Sequence, residues 1–210
     1  MAKPQNGEAL VWFAALLRGI NLGKRRIPMP RLAKMFEEAG GRDARTYVAS
    51  GNVVFRAPPR EGEAIAKKVE AAIRDEFGFD APIVVRTHEE LVAAARANPW
   101  AKQAASAPKA VHVVFLPNVP AAADVKRLDP DRSPGDQLVV KGREVHLFVP
   151  KGMADTRFTP AWMDATLKMV TTARNWNTVQ ALIELTAPAT SDRPAARPTP
   201  APRSRTLSRR

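Results

Sequence analysis

Residues 14–30 read AALLRGINLGKRRIPMP, and this stretch runs from a predicted strand through a basic loop into a predicted helix. The apolar run from Ala9 to Leu17 is typical of a strand that is buried on both faces. Pro28 suits the first turn of a helix, where the missing N–H is not needed. The stretch therefore predicts a strand, a loop and a helix in succession, which is how an α/β unit begins.

The same unit continues through residue 87. The sequence predicts, in order, a helix at 28–41, two short strands flanking a turn at 50–52, an amphipathic helix at 61–79 and a strand at 82–87. The predicted order is β-α-β-β-α-β.

A similar order recurs in the second half of the chain. Thr87 and Glu90 have the spacing of a capping box and predict a linking helix. The sequence then predicts a strand at 109–117, a short helix at 120–128, a hairpin at 136–150, a helix at 159–168 and a strand at 170–174. A last helix is predicted to begin at Asn177 as its N-cap. Only the order of elements recurs, and no residue-level repeat relates the two halves.

These patterns divide the chain into five segments. We expect an N-terminal extension, a first unit, a linking helix with a loop, a second unit that includes the terminal helix, and a disordered basic tail. Their boundaries are 1–8, 9–87, 88–107, 108–186 and 187–210. The tail contains mainly Pro, Ala, Arg and Ser and lacks the apolar residues that a core requires.

The composition bounds the class of protein. The 210 residues carry a formal net charge of +12, and they include no cysteine, which excludes disulfides, thiol nucleophiles and thiolate metal sites. The first residues lack the pattern of a signal peptide, and the apolar run at 9–17 is too short to span a bilayer. We therefore expect a cytoplasmic protein without a membrane partner.

Three separated strings resemble one known family. They are ALLRGINLGKRRIPMP at 15–30, RTYVASGNVVF at 45–55 and TTARNWNTVQAL at 171–182. They are similar to an uncharacterised bacterial family, catalogued as a domain of unknown function, with the motifs ALLRGIN-G, Y--SGNVVF and TRNWNTV. The resemblance covers about 9–186. It implies an α+β chain of two ferredoxin-like β-α-β-β-α-β units with antiparallel sheets, and it implies no established activity or cofactor.

A ligand-binding edge is predicted from the strand order. In a β-α-β-β-α-β unit the third strand lies between the first two, so the loop after the first strand and the hairpin turn share one edge of the sheet. The loop offers a guanidinium, an amide and an ammonium group, and the glycines allow close backbone approach. The predicted site for a small phosphate- or carboxylate-bearing ligand comprises Arg18, Asn21, Gly23, Lys24, Ser50, Gly51 and Asn52. The alternative is that these residues serve only the turns.

A second polar cluster follows the last predicted strand. It comprises Arg174, Asn175, Trp176 and Asn177. Folded against the 18–24 loop, this cluster completes a cleft between the two units with an aromatic wall. The alternative is that Asn177 caps the helix and Trp176 only packs.

Two other functions stay open. A nucleic-acid-associated protein that uses its basic surface and tail is one, because the chain is strongly basic and the tail attracts polyanions non-specifically. Trp12 or Phe13 with Phe55 also resembles a base-stacking platform. An enzyme acting on a phosphorylated substrate is the other, with Arg18 stabilising charge. His112 and His146 face each other across neighbouring predicted strands but have no third ligand, so no metal site is expected.

Overall fold

A computed structural model describes residues 9–188. The predicted extension at 1–8 and the predicted tail from 189 onward lie outside the described residues. The helices and strands, in chain order, are β1 (Val11–Leu17), α1 (Met29–Glu38), β2 (Arg42–Tyr47), β3 (Asn52–Ala57), α2 (Gly62–Phe77), β4 (Ile83–Thr87), α3 (His88–Arg96), α4 (Ala101–Ser106), β5 (Val111–Phe115), α5 (Ala122–Val125), β6 (Gln137–Lys141), β7 (Glu144–Phe148), α6 (Pro160–Leu167), β8 (Thr172–Asn175) and α7 (Trp176–Thr186).

The first unit is an antiparallel sheet in the order β2-β3-β1-β4 with α1 and α2 on one face. Alternate residues of β1, such as Phe13 and Leu17, point to that face and pack with Phe36 of α1 and Val69 of α2. The predicted order of elements is confirmed in this unit. The position of β3 between β1 and β2 brings the β1–α1 loop and the β2–β3 turn to one edge.

The second unit repeats this arrangement with the order β6-β7-β5-β8. One face of its sheet packs against the second helix of the unit, where Val114 and Leu147 lie in one cluster with Met163 and Leu167 of α6. The α+β class with two ferredoxin-like units is therefore confirmed.

The remaining faces of the two sheets meet in a shared apolar layer. Ala14 and Val54 of the first sheet belong to one buried cluster with Val113 and Phe115 of the second. Leu91 of α3 and residues of α7 complete this cluster. Burial of apolar area in this layer joins the units, since neither sheet covers its inner face alone.

Two buried arginines cross between the units in the same way. Arg86 on β4 is 1% exposed, and its Nη2 donates to the carbonyl oxygens of Leu116 at 2.7 Å and Arg143 at 3.1 Å. Arg174 on β8 is 8% exposed, and its Nη2 donates to the carbonyl oxygens of Leu17 at 2.8 Å and Gly51 at 2.9 Å. In each case one acceptor lies at the end of the other unit's first strand, as the last residue Leu17 of β1 or as Leu116 directly after β5, and the other acceptor belongs to that unit's hairpin turn.

The correspondence extends to the next residue of each turn. The Nε of Arg86 donates to Glu144, and the Nε of Arg174 donates to Asn52. Each arginine contacts the other unit's equivalent atoms, which is the reciprocity of an approximate twofold relation. A residue-level correspondence therefore exists, contrary to the sequence-based expectation. It went undetected because the few matching positions are surrounded by unrelated side chains.

The terminal helix begins earlier than predicted. Asn175, at the end of β8, is the N-cap, and its Oδ1 accepts a hydrogen bond from the Thr178 N–H at 2.9 Å. The prediction of Asn177 as the cap was wrong, because β8 passes into α7 without a loop. Within residues 9–188 no helix is both long and apolar enough to cross a membrane.

Candidate ligand-binding cavity

The β1–α1 loop and the β2–β3 turn are tied together by hydrogen bonds. Asn21 Nδ2 donates to the Ala49 carbonyl oxygen at 2.8 Å, and Asn21 Oδ1 accepts from the Ile27 N–H at 3.0 Å. The Leu17 N–H donates to the Gly51 carbonyl oxygen at 2.8 Å. Asn21 therefore braces the loop, and both of its amide atoms have a protein partner.

A cavity of about 580 Å³ lies between this edge and the second unit. Its wall is formed by the β1–α1 loop and β2–β3 turn on one side, and by α6, the segment before it and the start of β8 on the other. The lining residues are Leu17, Arg18, Gly19, Ile20, Asn21, Leu22, Ala49, Ser50, Val114, Met153, Phe158, Pro160, Met163, Thr171, Thr172, Ala173 and Arg174.

Arg18 is the half-buried cation of this wall. Its Nη1 donates to Asp164 Oδ2 and, at 2.9 Å, to the Thr171 carbonyl oxygen. Its side chain is 26% exposed. Within the described residues, Nε and Nη2 of Arg18 make no hydrogen bond. The guanidinium is therefore held through Nη1, and its other edge, formed by Nε and Nη2, keeps two N–H donors for another group.

Asp164 of α6 positions both Arg18 and the start of β8. Its Oδ1 accepts from the N–H and the Oγ1 of Thr171, each at 2.9 Å. In the first unit, Glu70 of α2 accepts from the Ile83 N–H at 2.6 Å in the equivalent place. A carboxylate that holds the last strand is therefore common to both units. Within the described residues, only the carboxylate of the second unit, Asp164, also binds an arginine, which is Arg18 of the first unit.

Arg174 lines the cavity but has no donor to offer a ligand. Its five N–H groups donate to Asn52, Thr172, Ala173, Leu17 and Gly51. Burial lowers the pKa of Arg174 to about 10, so the group stays protonated at neutral pH. Arg174 contributes a fixed positive charge behind the wall.

The other predicted residues of the first cluster lie around the cavity. Ser50 lines it, whereas Gly23 and Lys24 lie in the exposed part of the loop, outside the wall. Asn52 is fully buried, and its Nδ2 donates to Tyr47 and Ser50. Gly51 has φ +85°, and a Cβ there would lie 2.9 Å from Ile20, so a close approach requires glycine.

The second predicted cluster separates in space. Only Arg174 lines the cavity. Asn175 caps α7, Trp176 packs against the shared layer, and Asn177 is exposed on the helix. The aromatic residue at the cavity is instead Phe158, which is fully buried in the core of the second unit.

Sequence reasoning missed the contribution of the α6 region. Phe158, Met163, Asp164 and Thr171 surround Arg18 or line the cavity. Residues 159–168 carry only the pattern of a helix, and no local signal shows that this helix packs beside the loop of the other unit. The resemblance did place the string 171–182 among the motifs, and residues 171–174 of this string form part of the wall.

The two units differ at this end. The residue after Leu17 is Arg18, whereas the residue after the equivalent Leu116 is Pro117, which has no donor. The β2–β3 turn spans residues 48–51, but the β6–β7 turn spans only 142–143. The equivalent cavity in the first unit, beside Glu70 and Arg86, is smaller at about 260 Å³. The longer turn and the unpaired edge of Arg18 therefore occur at the larger cavity and have no equivalent at the smaller one.

The histidines do not form a site. Register pairs His112 with Leu147 and His146 with Val113, so the two rings lie on opposite faces of the sheet. The expectation that they face each other was wrong, because a shift of one residue reverses the face. No group of three His, Cys, Asp or Glu side chains suitable for a metal occurs in residues 9–188.

The aromatic platform considered for nucleic acid is largely buried. Phe13 and Phe55 lie in the core beneath α1 and α2, with ring centroids 5.4 Å apart. Trp12 is half-buried on the opposite face, and Arg45 and Arg56 lie over its ring at 5.5 and 5.8 Å from the centroid. Phe13 and Phe55 are therefore core residues.

Comparison with known proteins identifies the family. A solved structure of a conserved bacterial protein, SP0830 from Streptococcus pneumoniae, is similar with a TM-score of 0.63 and 20% identity, over 85% of this chain and 99% of that one. At this identity the likeness concerns the fold. None of the curated proteins matches the chain. A family model described as "Protein of unknown function (DUF1697)" matches residues 11–146, from β1 through most of β7. The chain belongs to this family of proteins of unknown function.

Proposed function

We propose that the protein binds a small ligand with a carboxylate or phosphate group in the cavity beside Arg18. The observation that carries this proposal is the Nε–Nη2 edge of Arg18, which has no partner within the described residues. Such an edge binds both oxygens of a carboxylate or phosphate. Arg31 uses the same two atoms to bind Glu76, at 2.8 and 2.5 Å.

The charges around the cavity support an anionic ligand. Arg18 and Arg174 contribute two positive charges, and Asp164 contributes one negative charge. Lys24, Arg25 and Arg26 add positive charge to the exposed part of the loop. A single anionic group is therefore attracted to the cavity and has one cation edge to bind.

The difference between the units also supports a site at this end. Both units share the arginine that crosses the interface and the carboxylate that holds the last strand. Only at the end where the first unit's loops meet α6 are there also Arg18, a longer hairpin turn and a cavity of about 580 Å³. That volume falls in the range of small-molecule pockets, about 300–1,000 Å³.

The proposal is tested by replacing the guanidinium edge. We place the protein in the cytoplasm as part of this proposal, so binding is measured near neutral pH by calorimetry with benzoate, hexanoate and phenyl phosphate. Arg18→Gln is expected to weaken binding of the best of these probes about thirtyfold, through loss of a bidentate charge-assisted contact. Arg26→Gln is the matched control. It removes an equal charge from the same loop, and Arg26 lies outside the cavity wall.

Three outcomes of these binding measurements contradict the proposal. Wild-type protein that binds none of the probes overturns it. Equal binding by wild-type protein and Arg18→Gln also overturns it, provided that urea unfolding shows both proteins to be folded. Equal weakening by both substitutions indicates general electrostatic attraction and likewise contradicts a role for the Arg18 edge.

A further inference from the structure

Three of the four large hydrophobic residues that are exposed within residues 9–188 line the cavity or directly precede a residue of its wall, and these three are named here the mouth of the cavity. Four large hydrophobic residues of this part of the chain are exposed: Leu22 at 69%, Val48 at 51%, Val119 at 68% and Val170 at 43%. Leu22 lines the cavity, Val48 precedes Ala49 of the wall, and Val170 precedes Thr171 of the wall. Grouped exposed apolar residues mark binding surfaces, whereas single ones need no explanation.

The interior of the cavity is also mainly apolar. Leu22, Ala49 and Pro160 are exposed apolar residues of its wall, with the half-buried Met153 beside them. Ile20, Phe158 and Met163 are at most 3% exposed and form the apolar layer behind this surface. Met side chains adapt to irregular ligands because they are unbranched. A carboxylate or phosphate group bound to Arg18 would fill only a small part of 580 Å³ and would leave this surface uncovered.

The polar groups of the wall are mostly used within the protein. Asn21 binds Ala49 and Ile27, and Thr172 accepts from Arg174. The Arg18 edge therefore stands out as a free polar feature in apolar surroundings. This arrangement favours a ligand with one charged end and an apolar body.

Val48 adds an observation at the mouth. Its φ is +49°, a left-handed conformation that is unfavourable for a β-branched residue. The turn nevertheless holds this side chain out at 51% exposure. Contact with an apolar ligand at the mouth would give this exposed side chain in a strained turn a role.

We infer that the ligand is an anionic amphiphile, with its head group on Arg18 and an apolar body that extends along Met153 and Pro160 toward Leu22, Val48 and Val170. This inference rests on the proposed function and adds the chemical class of the ligand body. The amphiphile binds as a single molecule from solution.

A homologous series of straight-chain carboxylates, from butanoate to dodecanoate below their micelle concentrations, tests the inference by calorimetry. Each added CH₂ that enters the cavity is expected to tighten binding about fourfold, until the chain leaves the mouth. The double variant Leu22→Asn/Val170→Asn is expected to weaken binding of the long members at least tenfold and to leave the short members unchanged. Val119→Asn, equally exposed and outside this cavity wall, is the matched control.

The outcomes separate this inference from the proposed function. Affinity that does not change with chain length overturns the amphiphile and leaves the anion site standing. Length-dependent affinity that is the same for carboxylates and for the corresponding alcohols overturns the anion site. Equal losses in the mouth variant and in Val119→Asn overturn the mouth as the exit of the chain. Sedimentation with phosphatidylcholine vesicles containing fatty acid, without binding of monomers, overturns a ligand taken from solution.

Discussion

Asn52 and Glu144 occupy equivalent positions after the two hairpin turns, and each accepts a hydrogen bond from the Nε of a buried arginine. The acceptors differ in charge, which shows that the framework requires a hydrogen-bond acceptor at this position and not a carboxylate. Both arginines have a lowered pKa, because burial disfavours the charged form. The hydrogen bonds from these arginines to carbonyl and amide oxygens offset the free-energy cost of burying their charges.

Removal of the Asn52 acceptor tests this account. Asn52→Ala leaves the Nε of Arg174 unpaired in a buried position, and we expect the free energy of unfolding to fall by about 2–3 kcal/mol. Ser50→Ala, in the same turn, removes one of the two acceptors of Asn52 Nδ2 and leaves the Tyr47 carbonyl oxygen, so it is expected to lower the free energy of unfolding by less than about 1 kcal/mol. Urea unfolding monitored by tryptophan fluorescence measures both. Equal stability of Asn52→Ala and wild type contradicts a structural role for this contact.

His146 predicts an acid-sensitive fold. It is fully buried, and its ring nitrogens have no partner within the described residues. Burial, with a smaller effect of the Lys141 charge, lowers the pKa of His146 from 6.5 to about 4. Between these values the unfolded chain binds a proton that the folded chain does not. The free energy of unfolding is therefore highest above pH 6.5. It falls by about 3 kcal/mol in total as the pH falls from 6.5 toward 4, because the unfolded chain gains the proton first.

The measurement is the free energy of unfolding in urea between pH 7.5 and about 4. His146→Leu, of similar size, is expected to remove most of the slope in this range. His112 has a pKa lowered by burial in the same direction, so its variant removes a further part. A slope that His146→Leu leaves unchanged contradicts the assignment.

At the scale of elements, caps, turns and periodicity predicted those helix and strand ends that depend on residues close in the chain. The predicted capping box of α3 is present, with Glu90 N–H donating to Thr87 Oγ1 at 3.2 Å and Thr87 N–H to Glu90 Oε2 at 2.9 Å. The start of α7 was placed two residues late, because Asn175 and Asn177 are equally good caps by type. Only the extended backbone of β8, ending at Asn175, distinguishes them.

The two asparagines of α7 provide a matched pair of substitutions. Asn175→Ala removes the acceptor for the Thr178 N–H, and we expect it to lower the free energy of unfolding by about 1 kcal/mol. Asn177→Ala, within the helix and exposed, is expected to be neutral or slightly stabilising, since alanine has the higher helix propensity. Urea unfolding of the two variants decides between them, and the reverse order of stabilities contradicts the observed cap.

At the scale of the whole molecule, the shared layer and the two arginines make the units dependent on each other. Arg86 would lose its acceptors at Leu116 and Arg143, and Arg174 would lose Leu17 and Gly51, if the units separated. The inner faces of both sheets, which meet in the shared layer, would also be exposed to water. The interface therefore resembles the interior of one domain.

Expression of the two halves tests this dependence. We expect residues 1–97 and 98–210, produced separately, to lack cooperative thermal unfolding, and co-produced halves to form a one-to-one complex with a single transition. Arg86→Met combined with Arg174→Met in the intact chain separates the contribution of the layer from that of the arginines. Two independently folded halves, each with its own transition, contradict the expectation.

The sequence by itself determined the order of strands and helices, the type of unit and the two polar segments that meet at one edge. These features depend on local periodicity, on caps and turns, and on the strand order that a β-α-β-β-α-β unit adopts. The tertiary structure alone decided which polar groups stay unpaired at the cavity. It used Asn21, Asn52 and Arg174 to join the loops and units, and it brought Asp164 to Arg18, with Phe158 and Met163 at the same cavity. Contacts between residues nearly 150 positions apart depend on how two apolar sheet faces pack, and no local pattern encodes that packing.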